Sequence, residues 1–185
     1  AAVVGLLFLL GQRTPYKIIN VVVREIVEFI RSTPLLIQLF FVYFVGPQFG
    51  ITLSAWVSAM ITIGLHFGTY LSEVYRGALE GVSKTQWEAC RALNFTTLYT
   101  YRRIVLPQAF RNMLPALGND FISMMKDSSL LSVLAVEDLT YRGRLYSGST
   151  FRFAETYLVL TVLYLCITLF LSAIQRQLEK RLETK

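Results

Sequence analysis

The sequence predicts an all-α, polytopic membrane protein with about five transmembrane helices. Three observations point there. Hydrophobic residues fill 54% of the 185 positions and charged residues only 16%. Mean hydropathy is +0.50, too apolar for an ordinary soluble domain. The apolar residues collect into long runs, and the 18 Lys and Arg residues sit beside those runs rather than along one stripe with aromatics. The net charge of +6 therefore reads as orientation in a bilayer, and no nucleic-acid partner is expected.

The elements follow in order. Residues 1–11 form about half a span at ~1.5 Å per residue. The chain opens inside this run without an initiator Met, so a first span cut part-way, or a longer polypeptide upstream, is expected. Residues 12–31 are amphipathic: Ile18, Ile19, Val22, Ile26, Phe29 and Ile30 recur at helical spacing among Arg13, Lys17, Arg24 and Arg31. They read as a helix at the interface or leading into the next span. Pro34 falls in the first turn of the following helix, where its missing N–H costs little. Residues 35–45 make a second span, ending in the turn Gly46-Pro47-Gln48.

Residues 54–75 make a third span, interrupted by Gly64, His66, Gly68 and Glu73. Residues 76–111 are a large polar loop. Residues 112–136 form a fourth membrane segment, broken near its end by Lys126-Asp127-Ser128-Ser129. Residues 137–152 read as a polar loop. Residues 153–174 are the cleanest span, 22 residues with one formal charge, Glu155. The tail, 175–185, is a charged helical end. The whole chain, 1–185, is one membrane domain, with 76–111 as a loop inside it.

Fourteen Lys and Arg fall on the side holding the N-terminal segment, the large loop and the tail, Lys185 included. Three (Arg142, Arg144 and Arg152) fall on the other, and Lys126 lies in or near the membrane. The bias puts the large loop and the C-terminus in the cytoplasm. Cys90 and Cys166 are isolated, so packing is their default role. A single histidine excludes a His-cluster metal site. No set of residues resembles a nucleophile with its base, paired catalytic carboxylates or a metal-ligand cluster, so no catalytic residue is assigned.

The large loop is too long and too patterned for a simple link. Ser83 suits a helix N-cap, with Gln86 where a capping box wants Glu or Gln. Trp87, Cys90 and Leu93 then share a face, and Asn94 suits the left-handed residue that ends a helix. A second helix is expected from Thr96 to Leu106, with Pro107 opening the next element. A braced short helix with exposed charges suits insertion into a partner's groove. A surface helix pinned to anionic lipid fits the same pattern.

The run Gln86-Trp87-Glu88-Ala89-Cys90-Arg91-Ala92-Leu93-Asn94, followed by Ile104-Val105-Leu106-Pro107-Gln108-Ala109, resembles the cytoplasmic EAA loop of importer-type ABC transporter permeases. More narrowly it is similar to the permeases for polar amino acids. Three further blocks resemble that subfamily: residues 31–41 its RGTPLL-type segment, residues 70–77 its AYxxExxRG segment, and residues 126–131 its KDTSL segment. The likeness runs over residues 24–182. Three positions depart from the pattern: Cys90 replaces the second Ala, Asn94 the Gly at the helix end, and Thr85 the Gly before the loop helix.

The resemblance implies a type I importer permease in a bacterial cytoplasmic membrane. Glu88, Ala89, Cys90, Arg91, Leu93 and Asn94 would couple to a cytoplasmic ATPase dimer, with a second permease subunit, identical or not, alongside. An extracytoplasmic amino-acid binding protein, free or fused upstream, would deliver the solute. The chain has no Gly-x-x-x-x-Gly-Lys-Ser/Thr loop. No cofactor is expected in it; ATP and Mg belong to the partner.

Ionisable residues at bilayer depth usually face a cavity or a partner. Glu73 either pairs with Arg76 at i+3 or lines the path. Asp120, beside Gly118 and Asn119, suits packing, a hinge or ligand contact. Lys126-Asp127-Ser128-Ser129 favours a helix break, because Ser and Asp compete for backbone hydrogen bonds, and transporters place sites at broken helices. Lys126 with Ser128 and Ser129 would hold a carboxylate, and Asp127 with Glu73 an ammonium. These acid groups tilt the substrate toward basic amino acids or glutamine. His66 is either a packed core residue or part of the pore lining. The competing reading is a channel or a secondary transporter driven by ion gradients, which would need its own coupling-ion site rather than a docking loop.

Overall fold

The computed structural model describes residues 1–183, and the described residues are helical with short connections. Helix α1 (Ala2–Gln12) lies along α4 (Ala55–Glu80), the most extensive helix contact in the fold. Glycines permit the close approach. A Cβ on Gly5 would stand 2.9 Å from Leu71 Cβ, and one on Gly68 would stand 2.9 Å from Val4 Cβ. In lipid, helices associate through such close packing and polar contacts, because solvent gives no hydrophobic drive.

Helix α4 starts where the Ser54 Oγ accepts from the Val57 N–H at 3.3 Å. Its buried face is polar: Ser58, Thr62, His66, Thr69 and Ser72 are all buried. Thr62, Thr69 and Ser72 donate back to the Ser58, His66 and Thr69 carbonyls. The helix runs to Glu80, past the end expected at residue 75. The bonds of Arg76 to Glu73 and Glu80 bind together what would otherwise fray. Residues 76–80 therefore belong to the helix, not to the loop that was expected from residue 76.

Helix α2 (Lys17–Arg31) is the amphipathic helix expected, with Val27 buried and Ile18, Ile19, Val22, Ile26 and Phe29 exposed. It meets α3 (Leu35–Phe40) at a 105° bend. Pro34 is the N-cap of α3 rather than a residue of its first turn. After α3 the helix widens into a π turn (Phe41–Val45), then tightens into a 3-10 turn (Gly46–Phe49). A second π turn (Tyr101–Val105) follows α6 (Thr97–Thr100) and leads without interruption into α7 (Leu106–Asp127). Each π turn stands just before a proline, Pro47 and Pro107. In each, the residue ahead of the proline donates five positions back, Gly46 to Phe41 and Leu106 to Tyr101. The wider turn adjusts the ladder where a proline can donate nothing. Pro107 sits in the first turn of α7, the element it was expected to open, although the π turn runs into that helix without interruption.

Helix α7 gives way at Ser128 to a 3-10 segment (Ser128–Leu134), at the break expected from the charge and hydroxyl run. That segment packs Leu131, Leu134 and neighbouring Val136 against Leu39 of α3 and Ala59 of α4. The polar loop expected at 137–152 is instead mostly helix, α8 (Leu139–Thr150). Its sequence has no apolar period, and tertiary contacts decide its fate. Asp138 accepts from the Tyr141 N–H at 2.7 Å, Arg144 donates to the Ser132 carbonyl at 3.1 Å, and Thr140 pairs with Tyr164 at 2.9 Å.

Among the described residues, α9 (Phe153–Glu183) is the one continuous helix long and apolar enough to cross a membrane, and the bent α2–α3 pair is a second if taken as one span. Its charged end extends the apolar run as expected; Thr184 and Lys185 lie outside the described residues. Gln175 on α9 donates to the Pro115 carbonyl at 3.0 Å and to Asn119 at 3.3 Å, tying α9 to α7.

Replacing Gly68 by Leu should wedge α1 from α4 and lower the thermal midpoint of the purified protein, with about 1–3 kcal/mol lost to overpacking. Gly77→Ala, where a Cβ meets nothing within 4 Å, should leave the midpoint unchanged or raised.

Candidate functional site

Two constellations stand apart from the packing. The first is α5 (Lys84–Ala92) in the loop between α4 and α7. Ser83 caps it through the Thr85 N–H at 3.3 Å, one residue earlier than a capping box would use. The other end is a Schellman turn: the Phe95 N–H reaches the Cys90 carbonyl and the Asn94 N–H reaches that of Arg91, both at 3.0 Å. Asn94 has φ 56°, the left-handed conformation expected of it. Trp87 braces the helix edge-on against Tyr101, ring centroids 5.0 Å apart, over Ala78, Val82, Val105 and Ala109.

Cys90 is buried, while Glu88, Ala89 and Arg91 are exposed. Leu93 does not share the buried face with Trp87 and Cys90. It is the C-cap, where the chain leaves helical geometry, and it stands 65% exposed beside Leu98 at 76%. The loop thus offers a short, stiffly held helix with an apolar and charged outer surface.

The second constellation lies on α4. The Glu73 Oε2 takes both the Arg76 Nη2 at 2.5 Å and Nε at 3.2 Å, and Oε1 takes the Gln12 amide at 3.2 Å. Arg31 adds a longer contact at 4.0 Å and lies over the Tyr70 ring. One carboxylate therefore joins α1, the end of α2 and α4, around a polar cavity of about 350 Å³ lined also by Arg24, Glu25 and Glu28. The partners of Glu73 are these residues and not the 126–129 turn.

Two helical turns away, His66 is buried in a three-ring cluster with Phe67 and Tyr70, with the Asp127 carboxylate close enough to act on it electrostatically. Ser128 spends its hydroxyl on the Met125 carbonyl at 2.6 Å. Lys126 is exposed, and Asp127 and Ser129 are half-buried. Asp120 keeps one carboxylate oxygen buried without a partner. The structure thus places Asp127 within electrostatic range of His66 and holds Glu73 apart in its own cluster. Gln12 and Gln38 were missed in the sequence. The signal for each was an amide inside or ending an apolar run.

Residues 2–184 match the family described as "Binding-protein-dependent transport system inner membrane component". The chain belongs to that family. It is 38% identical over 183 residues to the glutamine transport system permease protein GlnP of Escherichia coli, covering 98% of this chain and 84% of that one. To the L-cystine transport system permease protein TcyB of Bacillus subtilis it is 35% identical over 182 residues, covering 98% and 78%. A crystal structure of an amino acid ABC transporter with histidines superposes with a TM-score of 0.93 at 34% identity, covering 97% of this chain and 84% of that chain.

This inner membrane component is therefore a polytopic membrane protein with the importer permease fold expected from its sequence. Hydropathy understates that architecture because α4 buries hydroxyls and α7 carries Lys126, Asp127 and two prolines. The expected spans correspond to α1, the α2–α3 pair, α4, α7 with its 3-10 extension, and α9. The family's name gives it a binding-protein partner.

Glu73→Gln should lower the thermal midpoint, because Arg76 and Arg31 lose their shared counter-charge at a half-buried site. Glu80→Gln, at the exposed end of the same network, should change stability by no more than about 1 kcal/mol.

Proposed function

We propose that this chain is the permease subunit of an ATP-driven importer that moves polar amino acids into the cytoplasm by alternating access. The observation that carries the reading is the geometry of α5. A helix capped at both ends and braced by Trp87 on Tyr101 moves with α4 and α7 rather than bending independently. Its exposed Glu88, Ala89, Arg91 and Leu93 form the grip for an ATPase subunit, and closure of an ATPase dimer displaces the membrane helices through it. ATP and Mg are bound and hydrolysed in that partner, so this subunit is not itself an enzyme.

The relatives named for amino acids and glutamine support the solute class. The excess of Lys and Arg supports a cytoplasmic loop and C-terminus. A second permease subunit completes the path, and an extracytoplasmic binding protein, separate or fused upstream, delivers the solute. Within the membrane, Lys126 and Ser129 hold the carboxylate, while Ser128, its proton given to the Met125 carbonyl, holds the shape of the turn. Asp127 and His66 meet the ammonium, and Glu73 holds the surrounding helices at the mouth of the path.

The test is uptake by the permease reconstituted with its ATPase and binding protein. Glu88→Arg should abolish ATP-dependent uptake and release the ATPase on co-purification. Uptake that survives both Glu88→Arg and ATP depletion would establish the ion-gradient transporter instead. Asp127→Ala should raise the half-saturating amino acid concentration while the ATPase still co-purifies; an unchanged concentration removes Asp127 from the site.

A further inference from the structure

The amide of Gln38 has one permitted orientation. Its Nε2 lies 2.6 Å from the Ile30 carbonyl oxygen, 2.7 Å from Thr33 Oγ1 and 3.1 Å from the Thr33 carbonyl oxygen. The two carbonyls only accept. Thr33 Oγ1 directs its own proton to the Phe29 or Ile30 carbonyl, at 3.1 and 3.2 Å, so toward Gln38 it accepts as well. An amide turned end for end would set its oxygen against two carbonyl oxygens.

The reason for this arrangement lies in the chain. A continuing helix would satisfy the Ile30 carbonyl with the N–H of residue 34, and residue 34 is proline. Gln38 supplies a donor that Pro34 lacks, from one turn further along. With its nitrogen committed to the α2–α3 elbow, the amide points its oxygen at α4, where it meets His66 Nδ1 at 3.1 Å. An oxygen in that position accepts, so Nδ1 holds the proton. In the neutral ring Nε2 then carries a lone pair.

We infer that Gln38 is a positioning residue that fixes His66 as the Nδ1–H tautomer, so that His66 Nε2 and the Asp127 carboxylate together accept N–H donors from the ammonium group of the transported solute. The inference rests on the amino-acid reading above and deepens it. The polar atoms facing the solute's nitrogen are acceptors only, and this selects a protonated amine. The rings of Phe67 and Tyr70 pack against the imidazole and against each other. The elbow and the solute site are joined through one side chain, so the bend between α2 and α3 and the ring's acceptor face are set together.

The experiment uses the intact transporter in lipid nanodiscs with 15N-labelled histidine, the His66 signal being the one lost in His66→Asn. The wild-type ring should give the neutral Nδ1–H signature, and Gln38→Leu should move it toward the Nε2–H form. A wild-type ring found as the Nε2–H tautomer or as imidazolium overturns the assignment. Uptake supplies the second arm. His66→Asn keeps a donor at the Nδ1 position and removes the Nε2 acceptor, so the half-saturating solute concentration should rise roughly tenfold, the factor a lost charge-assisted hydrogen bond carries. His66→Gln, whose amide oxygen reaches the Nε2 position, should rise less. An unchanged concentration in His66→Asn removes the ring from solute binding. Failure of the amino-acid reading would look different: the unmodified transporter would show no ATP-dependent amino-acid uptake, while the ring signal is read with no solute present.

Discussion

Hydrocarbon offers no hydrogen bonds, and each place where this chain breaks a helix must find its own partners for the freed carbonyls. That constraint organises the molecule. Four prolines, at 34, 47, 107 and 115, fall in or beside membrane helices, and two distinct devices accommodate the first three. At the α2–α3 elbow a side-chain amide stands in for an absent N–H. Before Pro47 and Pro107 the helix widens into a π turn. The loop helix closes its own carbonyls in a Schellman turn. Helix breaks bend the chain into a shape that a straight bundle could not take, and these contacts fix the bends in place.

The same constraint explains why two of the candidate residues, Glu73 and His66, stand on α4. A helix that buries serine, threonine and histidine at successive turns has an interior face able to hold charge. Glu73 and His66 stand on that face two turns apart, roughly 10 Å along the axis. Each is bonded to a different neighbour: Glu73 to α1 and, more distantly, to the end of α2, His66 to α3. The helix crossing is close because Gly5 and Gly68 carry no side chain, and closeness lets Gln12 reach Glu73.

The fold class, the order of the membrane segments, the break at Asp127 and the left-handed Asn94 were legible in the sequence, since each rests on local composition or on a residue with a strong backbone preference. The end of α4 was not, because the ion pairs that extend it to Glu80 look like the start of a polar loop when read as charge alone. Helix α8 was hidden for a similar reason. Its residues lack a period, and its shape comes from Asp138, Arg144 and Thr140 meeting partners near or far in the chain. Leu93 was placed on one face with Trp87 and Cys90 by extending helical spacing to the C-cap, the residue where helical geometry ends. For the candidate site, Asp127 and His66 were visible as polar residues in apolar runs. Their electrostatic proximity was not, because it needs α4 and α7 packed together, nor was the part played by Gln38, which depends on a 105° bend that no local pattern reports.

Helix α9 spans 31 residues, about 46 Å at 1.5 Å per residue, against a hydrocarbon layer of about 30 Å. Its apolar portion matches that layer and its charged end overhangs. In a thinner bilayer such a rod leans over to keep its apolar length covered. Gln175 sits where the apolar part gives way to the overhang and is fastened to α7 at Pro115 and Asn119. A lean in α9 therefore pulls, through Gln175, on the helix that ends in the Lys126–Ser129 turn, and lipid chain length becomes a mechanical load on α7.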